Sequence, residues 1–243
     1  MPSENMSSVC QLLLSTAIGW VFGNFMTAQV IALKKTGKGA AHIGRTGNPG
    51  MANIMASLGF KSGIAVLGGD ILKTAAAMAV CGLLFPSAAG EFIRPALTAN
   101  GGPFGSVAAF WAGMGAVLGH NFPFLSGRIL SRKYGDCSFC RGGKGVTATC
   151  AALILFSPVW GLLSAIAGML TVFATKYLCA GAVVIPAAFC LPAFLIYGPR
   201  IGWPAVFLTI LMFNRHYPAL KLIPSGKAHK DDVPEMIKRK LRK

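Results

Sequence analysis

Charge is scarce in this chain, and negative charge is scarcest. Seven Asp and Glu stand against 23 Lys and Arg, and charged residues make up 12% of 243 positions. A soluble domain devotes about a quarter of its residues to charge. Half that fraction, with 54% apolar residues and apolar runs of about twenty residues, excludes an ordinary soluble globule. The signatures of several hydrolytic sites are also missing: there is no G-x-S-x-G elbow, no H-E-x-x-H and no His followed four residues later by Asp. Cys137 and Cys140 form a single C-x-x-C, with no second pair and no paired histidines nearby. That leaves the roughly four ligands of a structural zinc site unmet, and thiols in a cytoplasmic loop stay reduced and free. The other five cysteines (Cys10, Cys81, Cys150, Cys179 and Cys190) lie in or near apolar stretches, where cysteine acts as a small apolar side chain. Residues 1–9 carry Glu4 and no Lys or Arg, and the apolar stretch that follows is too long for a signal core. The first span is therefore expected to remain in the mature protein. There is no internal repeat and no soluble module.

What is there is a series of apolar stretches at 9–33, 62–85, 104–125, 145–157, 159–176, 178–197 and 201–214. They predict an all-α, polytopic integral membrane bundle of about seven transmembrane helices. The fourth and seventh stretches are short, which suits tilted or partly re-entrant segments. Small residues such as Gly63, Gly68, Gly69, Gly113, Gly115, Gly161 and Gly168 let helix backbones approach closely within a membrane. The basic excess is a topology signal, because 20 of the 23 Lys and Arg fall in one set of alternate loops, the C-terminal segment included. That asymmetry predicts an N-terminus outside and a C-terminus in the cytoplasm. Charge divided among loops, rather than massed on one soluble face, excludes nucleic acid as the partner. Residues 1–226 read as one membrane-embedded domain. Residues 227–243 read as a basic cytoplasmic tail that lies near anionic lipid or is disordered.

Short polar islands interrupt the apolar stretches. Arg45-Thr46-Gly47-Asn48-Pro49-Gly50 through Asn53 is either an ordinary inter-helix turn or a concave nest of backbone N–H groups with Asn48 and Asn53 as neutral donors. Asp70 and Lys73 lie three residues apart inside the second stretch, on one helical face. They form a self-neutralising packing pair, or a pair in which Asp70 orients a cation and Lys73 faces an anion. Gly142-Gly143-Lys144-Gly145 followed by Thr147 is not a Walker A loop, since Gly145 stands where magnesium needs Ser or Thr. It remains a Gly-rich loop that opens a helix, with Lys144 at the positive end of the dipole, or else a flexible basic loop at the membrane surface. His120 and His216 end the third and seventh stretches. His120 reads as an interfacial hydrogen-bonding residue, and His216, preceded by Arg215, suits anion binding or proton handling.

Taken in order, the islands resemble the acyl-phosphate-dependent glycerol-3-phosphate acyltransferases, the PlsY family of bacterial integral membrane enzymes. Thr46-Gly47-Asn48-Pro49-Gly50 through Asn53 looks like that family's G-S-G-N-x-G-x-x-N, with Arg45 at its first Gly. Asp70-Ile71-Leu72-Lys73 looks like D-x-x-K-G, with Thr74 at its Gly. Gly119-His120-Asn121-Phe122-Pro123 and Gly142-Gly143-Lys144-Gly145-Val146-Thr147 look like G-H-x-F-P and G-G-K-G-V-A-T. The resemblance implies acyl transfer from acyl phosphate to the 1-hydroxyl of glycerol 3-phosphate, with no metal or cofactor, at a plasma or inner membrane and facing the cytoplasm. It implies catalysis by Asn48, Lys144 and His216. Substrate binding falls to Arg45, Thr46, Gly47, Asn53, Lys73, Gly142, Gly143, Gly145 and Arg215, with Asp70 and His120 supporting them.

The departures are specific. The family's D-I-R falls on Ala40-Ala41-His42, and its S-I-P on Asn24-Phe25-Met26. Residues 126–140 lengthen the loop ahead of the Gly-rich motif, and the family's Asn, Arg and terminal Glu fall on Ala219, Leu222 and Lys227. Two alternatives stand beside the first reading: the same fold acylating a different polar acceptor, and a non-catalytic anion-binding protein or transporter. The transporter reading wants repeated halves and more ionisable residues at depth than Asp70 and Lys73.

Overall fold

A computed structural model of the chain describes residues 8–85 and 104–230. Within these residues the elements are ten α-helices and short 3-10 turns, with no strand. The helices are α1 (Ser8–Gly23), α2 (Thr27–Thr36), α3 (Met51–Leu58), α4 (Phe60–Leu84), α5 (Val107–Asn121), α6 (Phe124–Tyr134), α7 (Val146–Phe156), α8 (Pro158–Thr175), α9 (Leu178–Tyr197) and α10 (Pro199–Leu220). Four segments are long and apolar enough to cross a membrane: Ser8–Thr36, Phe60–Leu84, Pro158–Thr175 and Leu178–Tyr197. Their outward faces carry Leu13, Ile71, Leu162, Leu170, Leu191 and Leu195, as expected of helices bathed in lipid rather than water.

Six of the seven apolar stretches form single helices, and the first does not. It breaks at Asn24–Met26 into α1 and α2. A break exposes backbone groups that hydrocarbon cannot satisfy, and here the protein supplies partners. Asn24 Oδ1 accepts from Leu125 N at 2.9 Å, Asn24 O accepts from Ser126 Oγ, and Phe25 O accepts from Lys73 Nζ at 2.9 Å. The sequence pattern also passed over α3 and α6, short amphipathic helices beside the first island and within the lengthened loop.

α5 is the axis of the bundle. At 15 residues and about 1.5 Å per residue it falls short of the roughly 30 Å of hydrocarbon, yet almost every side chain on it is buried. Gly19 and Gly23 of α1 and Gly115 and Gly119 of α5 lie directly against the facing backbone, so a Cβ at any of them would overlap a carbonyl. This small-residue seam brings the two helix axes together where no water drives association. On its other sides α5 packs against α4, α7 and α10. There the main core gathers Phe110, Phe156, Phe189, Leu208 and Met212. Tyr197 donates to Ser157 Oγ at 2.7 Å, which satisfies its hydroxyl inside that core. The end of α5, the start of α7 and the last turns of α10 meet, and the polar islands converge there. Of the tail expected at 227–243, residues 231–243 lie outside the described residues.

Candidate active site

The first island is built around Asn53, buried on the first turn of α3. Its Nδ2 donates to Ile43 O at 2.8 Å and its Oδ1 accepts from Thr46 Oγ1 at 3.0 Å. Thr46 Oγ1 in turn accepts from Asn48 N at 3.3 Å. Both side chains are thus engaged in holding the loop closed. Asn48 is half-buried, and its carboxamide makes no hydrogen bond among the described residues, so this donor is left for an incoming group.

The second and third islands form one unit. Lys73 Nζ lies 2.9 Å from each of three acceptors: Asp70 Oδ1, Phe25 O and His120 Nδ1. The ammonium hydrogen-bonds Phe25 O and His120 Nδ1 and meets Asp70 as an ion pair, so its contacts are spent within the protein. Since the ammonium can only donate, His120 Nδ1 accepts, and the ring proton resides on Nε2. Lys73, expected to face a substrate anion, is instead enclosed by α1, α4 and α5. Asp70 and His120 stand beside it.

His120 carries this arrangement to the Gly-rich loop. Its ring packs on the Cα of Gly143, leaving no room for a side chain there, and its carbonyl accepts from Gly143 N at 3.1 Å. From the other side Arg215 Nη2 donates to Gly142 O and Gly143 O at 3.0 and 2.8 Å. The guanidinium also lies over Phe122, 5.4 Å from the ring centroid. Arg215 therefore grips the loop through its carbonyls. Gly145 turns into α7 with φ of 81° and no side-chain cap; glycine adopts that left-handed conformation without strain. The helix so opened offers uncapped N–H groups at the positive end of its dipole, beside Lys144.

His216 is buried on α10 with Nδ1 3.0 Å from Met212 O. A carbonyl can only accept, so Nδ1 carries the proton and Nε2 of the neutral ring is an acceptor. Lys144 and Arg215 are close enough to act on it electrostatically. The structure thus joins Lys144, His216, Arg215, His120, Asp70, Lys73 and the 142–145 loop. It joins the first island to them through Arg141, whose Nη2 lies 3.5 Å from Thr46 O.

Sequence reasoning named Arg141, with Arg45 and Lys221, only as a nearby cation that could replace a lost donor. It missed Asn121, fully buried against Gly145, whose carboxamide has no partner at either end among the described residues. The C-x-x-C sits in a 3-10 turn, Cys137–Cys140, with both thiols free, and no metal-binding cluster occurs among the described residues.

The charge balance is one-sided. Asp70 and Asp136 are the only acidic side chains among the described residues. The first is taken by Lys73 and the second by His42. Arg45, Arg141 and Arg215 have no carboxylate partner among the described residues.

The fold defines a multi-pass integral membrane protein whose helix ends bring basic side chains and glycine loops together. More narrowly, the chain belongs to the glycerol-3-phosphate acyltransferase family, whose pattern matches residues 13–226. It is 27% identical to glycerol-3-phosphate acyltransferase 1 of Lactobacillus johnsonii over 94% of this chain and 96% of that one. It is 29% identical to the glycerol-3-phosphate acyltransferase of Shouchella clausii over 91% and 97%. Among solved structures it resembles PlsY (YgiH), an integral membrane glycerol 3-phosphate acyltransferase, in its glycerol 3-phosphate form. That match has a TM-score of 0.68 at 22% identity and covers 93% of this chain and 98% of the other. The lysophosphatidic acid form matches with a TM-score of 0.65 at 21% identity, over 90% and 94%. The fold is shared.

Proposed function

We propose that the protein transfers an acyl group from acyl phosphate to the 1-hydroxyl of glycerol 3-phosphate, releasing lysophosphatidic acid and inorganic phosphate. The observation that carries this reading is the uncompensated positive charge around two Gly-rich loops, in a family of glycerol-3-phosphate acyltransferases. Both substrates bring phosphate to that charge.

The chemistry follows from the groups present. The 142–145 loop and Lys144 hold the donor phosphate, and Asn48 is placed to donate to the carbonyl oxygen as it gains negative charge. His216 Nε2 accepts from the acceptor hydroxyl and fixes its approach. Attack forms the new ester bond and breaks the bond between the carbonyl carbon and the phosphate oxygen. The hydroxyl proton leaves on the departing phosphate, so no side-chain base has to keep it. The donor chain lies along an apolar groove of about 300 Å³ lined by Leu67, Ile71, Val146, Cys150, Ile154 and Leu155, which begins where the Gly-rich loop ends.

In the membrane the bundle makes about seven crossings, the N-terminus outside and the C-terminus cytoplasmic, as the bias of basic residues among the loops favours. Residues 1–226 act as one domain, with 227–243 as a basic tail at the surface of a plasma or inner membrane. The test is phosphate release from a long-chain acyl phosphate by the purified protein, with and without glycerol 3-phosphate. Release that depends on the acceptor, with lysophosphatidic acid formed, is the expected result. Turnover with other polar acceptors alone would favour the second reading, which the departures at His42, Ala219, Leu222 and Lys227 motivate.

A further inference from the structure

The lengthened loop is not a passive insertion. It returns to the site through a compact turn centred on Asp136. Asp136 Oδ1 accepts from Ser138 N at 2.8 Å and Oδ2 accepts from Ser138 Oγ at 2.6 Å, while Oδ2 pairs with His42 Nε2 at 2.8 Å. The Phe139 ring is buried beneath the turn, packed on Gly39 and 5.5 Å from the Tyr134 ring. On the facing side Ala40 N donates to Gln29 Oε1 at 2.7 Å. The segment that leads into the first anion loop is thereby fastened to the segment that leads into the second.

Arg141 is the next residue out of that turn. Its Nη1 stands 3.3 Å from where a Cβ of Gly47 would lie, and its Nη2 makes only a long 3.5 Å contact with Thr46 O. Its other neighbour is a like charge, Arg215. A guanidinium carries five N–H donors, and no carboxylate among the described residues meets this one. Arg215 is already engaged with the loop carbonyls, so Arg141, exposed between the two glycine loops, is the guanidinium whose donors remain open to an anion. A phosphomonoester matches the fork of such a group in charge and geometry.

We propose that Arg141 binds the phosphate of the acceptor between the Thr46–Gly47 loop and the Gly-rich loop, and that the His42–Asp136–Ser138 turn is the device that positions it. His42 stands where the family resemblance expects an arginine, so the positive charge missing there is delivered across the site from the opposite loop. This inference rests on the reading of the acceptor as glycerol 3-phosphate.

The test is steady-state kinetics on the full chain in detergent, varying glycerol 3-phosphate and acyl phosphate separately for wild type, Arg141→Ala, Arg141→Lys and Asp136→Asn. Equilibrium binding of glycerol 3-phosphate to the same proteins reads the contact without turnover. Arg141→Ala is expected to raise KM for glycerol 3-phosphate about 10- to 100-fold, the range of a charge-assisted contact. Binding should weaken in step, while KM for acyl phosphate and kcat move little. Arg141→Lys should recover part of the loss, and Asp136→Asn should show a smaller rise in the same KM with kcat kept. Wild-type turnover with an unchanged acceptor KM in Arg141→Ala overturns the inference alone. A rise confined to the acyl phosphate KM also overturns it, by placing Arg141 on the donor. A wild-type protein that neither binds nor acylates glycerol 3-phosphate overturns the underlying reading and the inference with it.

Discussion

His120 links the buried charge to the loop: its Nδ1 is 2.9 Å from Lys73 Nζ, and the far edge of its ring rests on the Cα of Gly143. A methyl group at position 143 would meet that ring, and the ring is held from behind and has no room to retreat. Gly143→Ala is therefore expected to displace the loop or the imidazole, lowering transfer at least tenfold and stability by about 1–3 kcal/mol. Activity and thermal unfolding measured on the same preparation check this, and an alanine variant with wild-type values on both would contradict it.

The Asp70–Lys73 pair should behave as a buried ion pair. Removing one partner leaves a charge without compensation, so Lys73→Met is expected to cost about 3–5 kcal/mol. Asp70→Asn with Lys73→Met should lose less than the two single changes added together, by about 1–3 kcal/mol. Unfolding midpoints of the three variants in one detergent give the comparison.

Lys144→Ala and Asn48→Ala address the reaction itself. On the proposed mechanism each removes a donor to negative charge, and each is expected to lower acyl transfer about 10²- to 10³-fold. The melting temperature should move little, because both side chains are only half-buried. Full activity in both variants would refute the assigned site.

Asn53 and Asn121 are buried alike but are partnered differently. Asn53 holds Ile43 O and Thr46 Oγ1, so Asn53→Leu should destabilise the first loop by about 1–3 kcal/mol. Asn121 is unpartnered at both ends among the described residues, so Asn121→Leu should leave stability unchanged or raise it by about 1 kcal/mol. Chemical or thermal unfolding of the two variants tests the contrast.

Asp136 gives a pH dependence. Hydrogen bonds from the Ser138 side chain and backbone, then His42, hold its carboxyl below the ordinary value of 3.8. A carboxylate with a depressed folded-state pKa stabilises above its unfolded pKa and loses that contribution as pH falls through the folded value. The turn should therefore stay closed down to about pH 4 and loosen below it. Amide exchange at Ser138 against pH reads this, and in Asp136→Asn the same amide should exchange faster with no transition in that range.

Much of this arrangement was legible in the chain because its signals are local. Apolar length marked six helices to within a few residues, and glycine with polar residues marked every loop that reaches the site. The break at Asn24–Met26 was not legible, since one Asn in an apolar stretch does not by itself end a helix and the partners lie at Lys73, Leu125 and Ser126. Lys73 read as a substrate ligand because spacing shows which face a lysine occupies but not what fills its three donor directions. Arg215 was expected at the substrate and instead grips the loop carbonyls. Arg141 could be named only as one of three nearby cations, with Arg45 and Lys221, because what sets it apart is a turn fifteen residues beyond α5 that is fastened to the other side of the site.

The interrupted first span and the lysine at depth are two halves of one device. The carbonyl released at Phe25 is a neutral ligand for an ammonium that has one carboxylate and one imidazole beside it. Neither half is useful alone, since an unbroken helix would withdraw the carbonyl and an uncharged residue at 73 would leave that carbonyl facing hydrocarbon. An engineer who straightened α1 and α2 into one rod, seeking a sturdier protein, would unseat Lys73, then His120, and finally the Gly142–Gly143 loop two helices away.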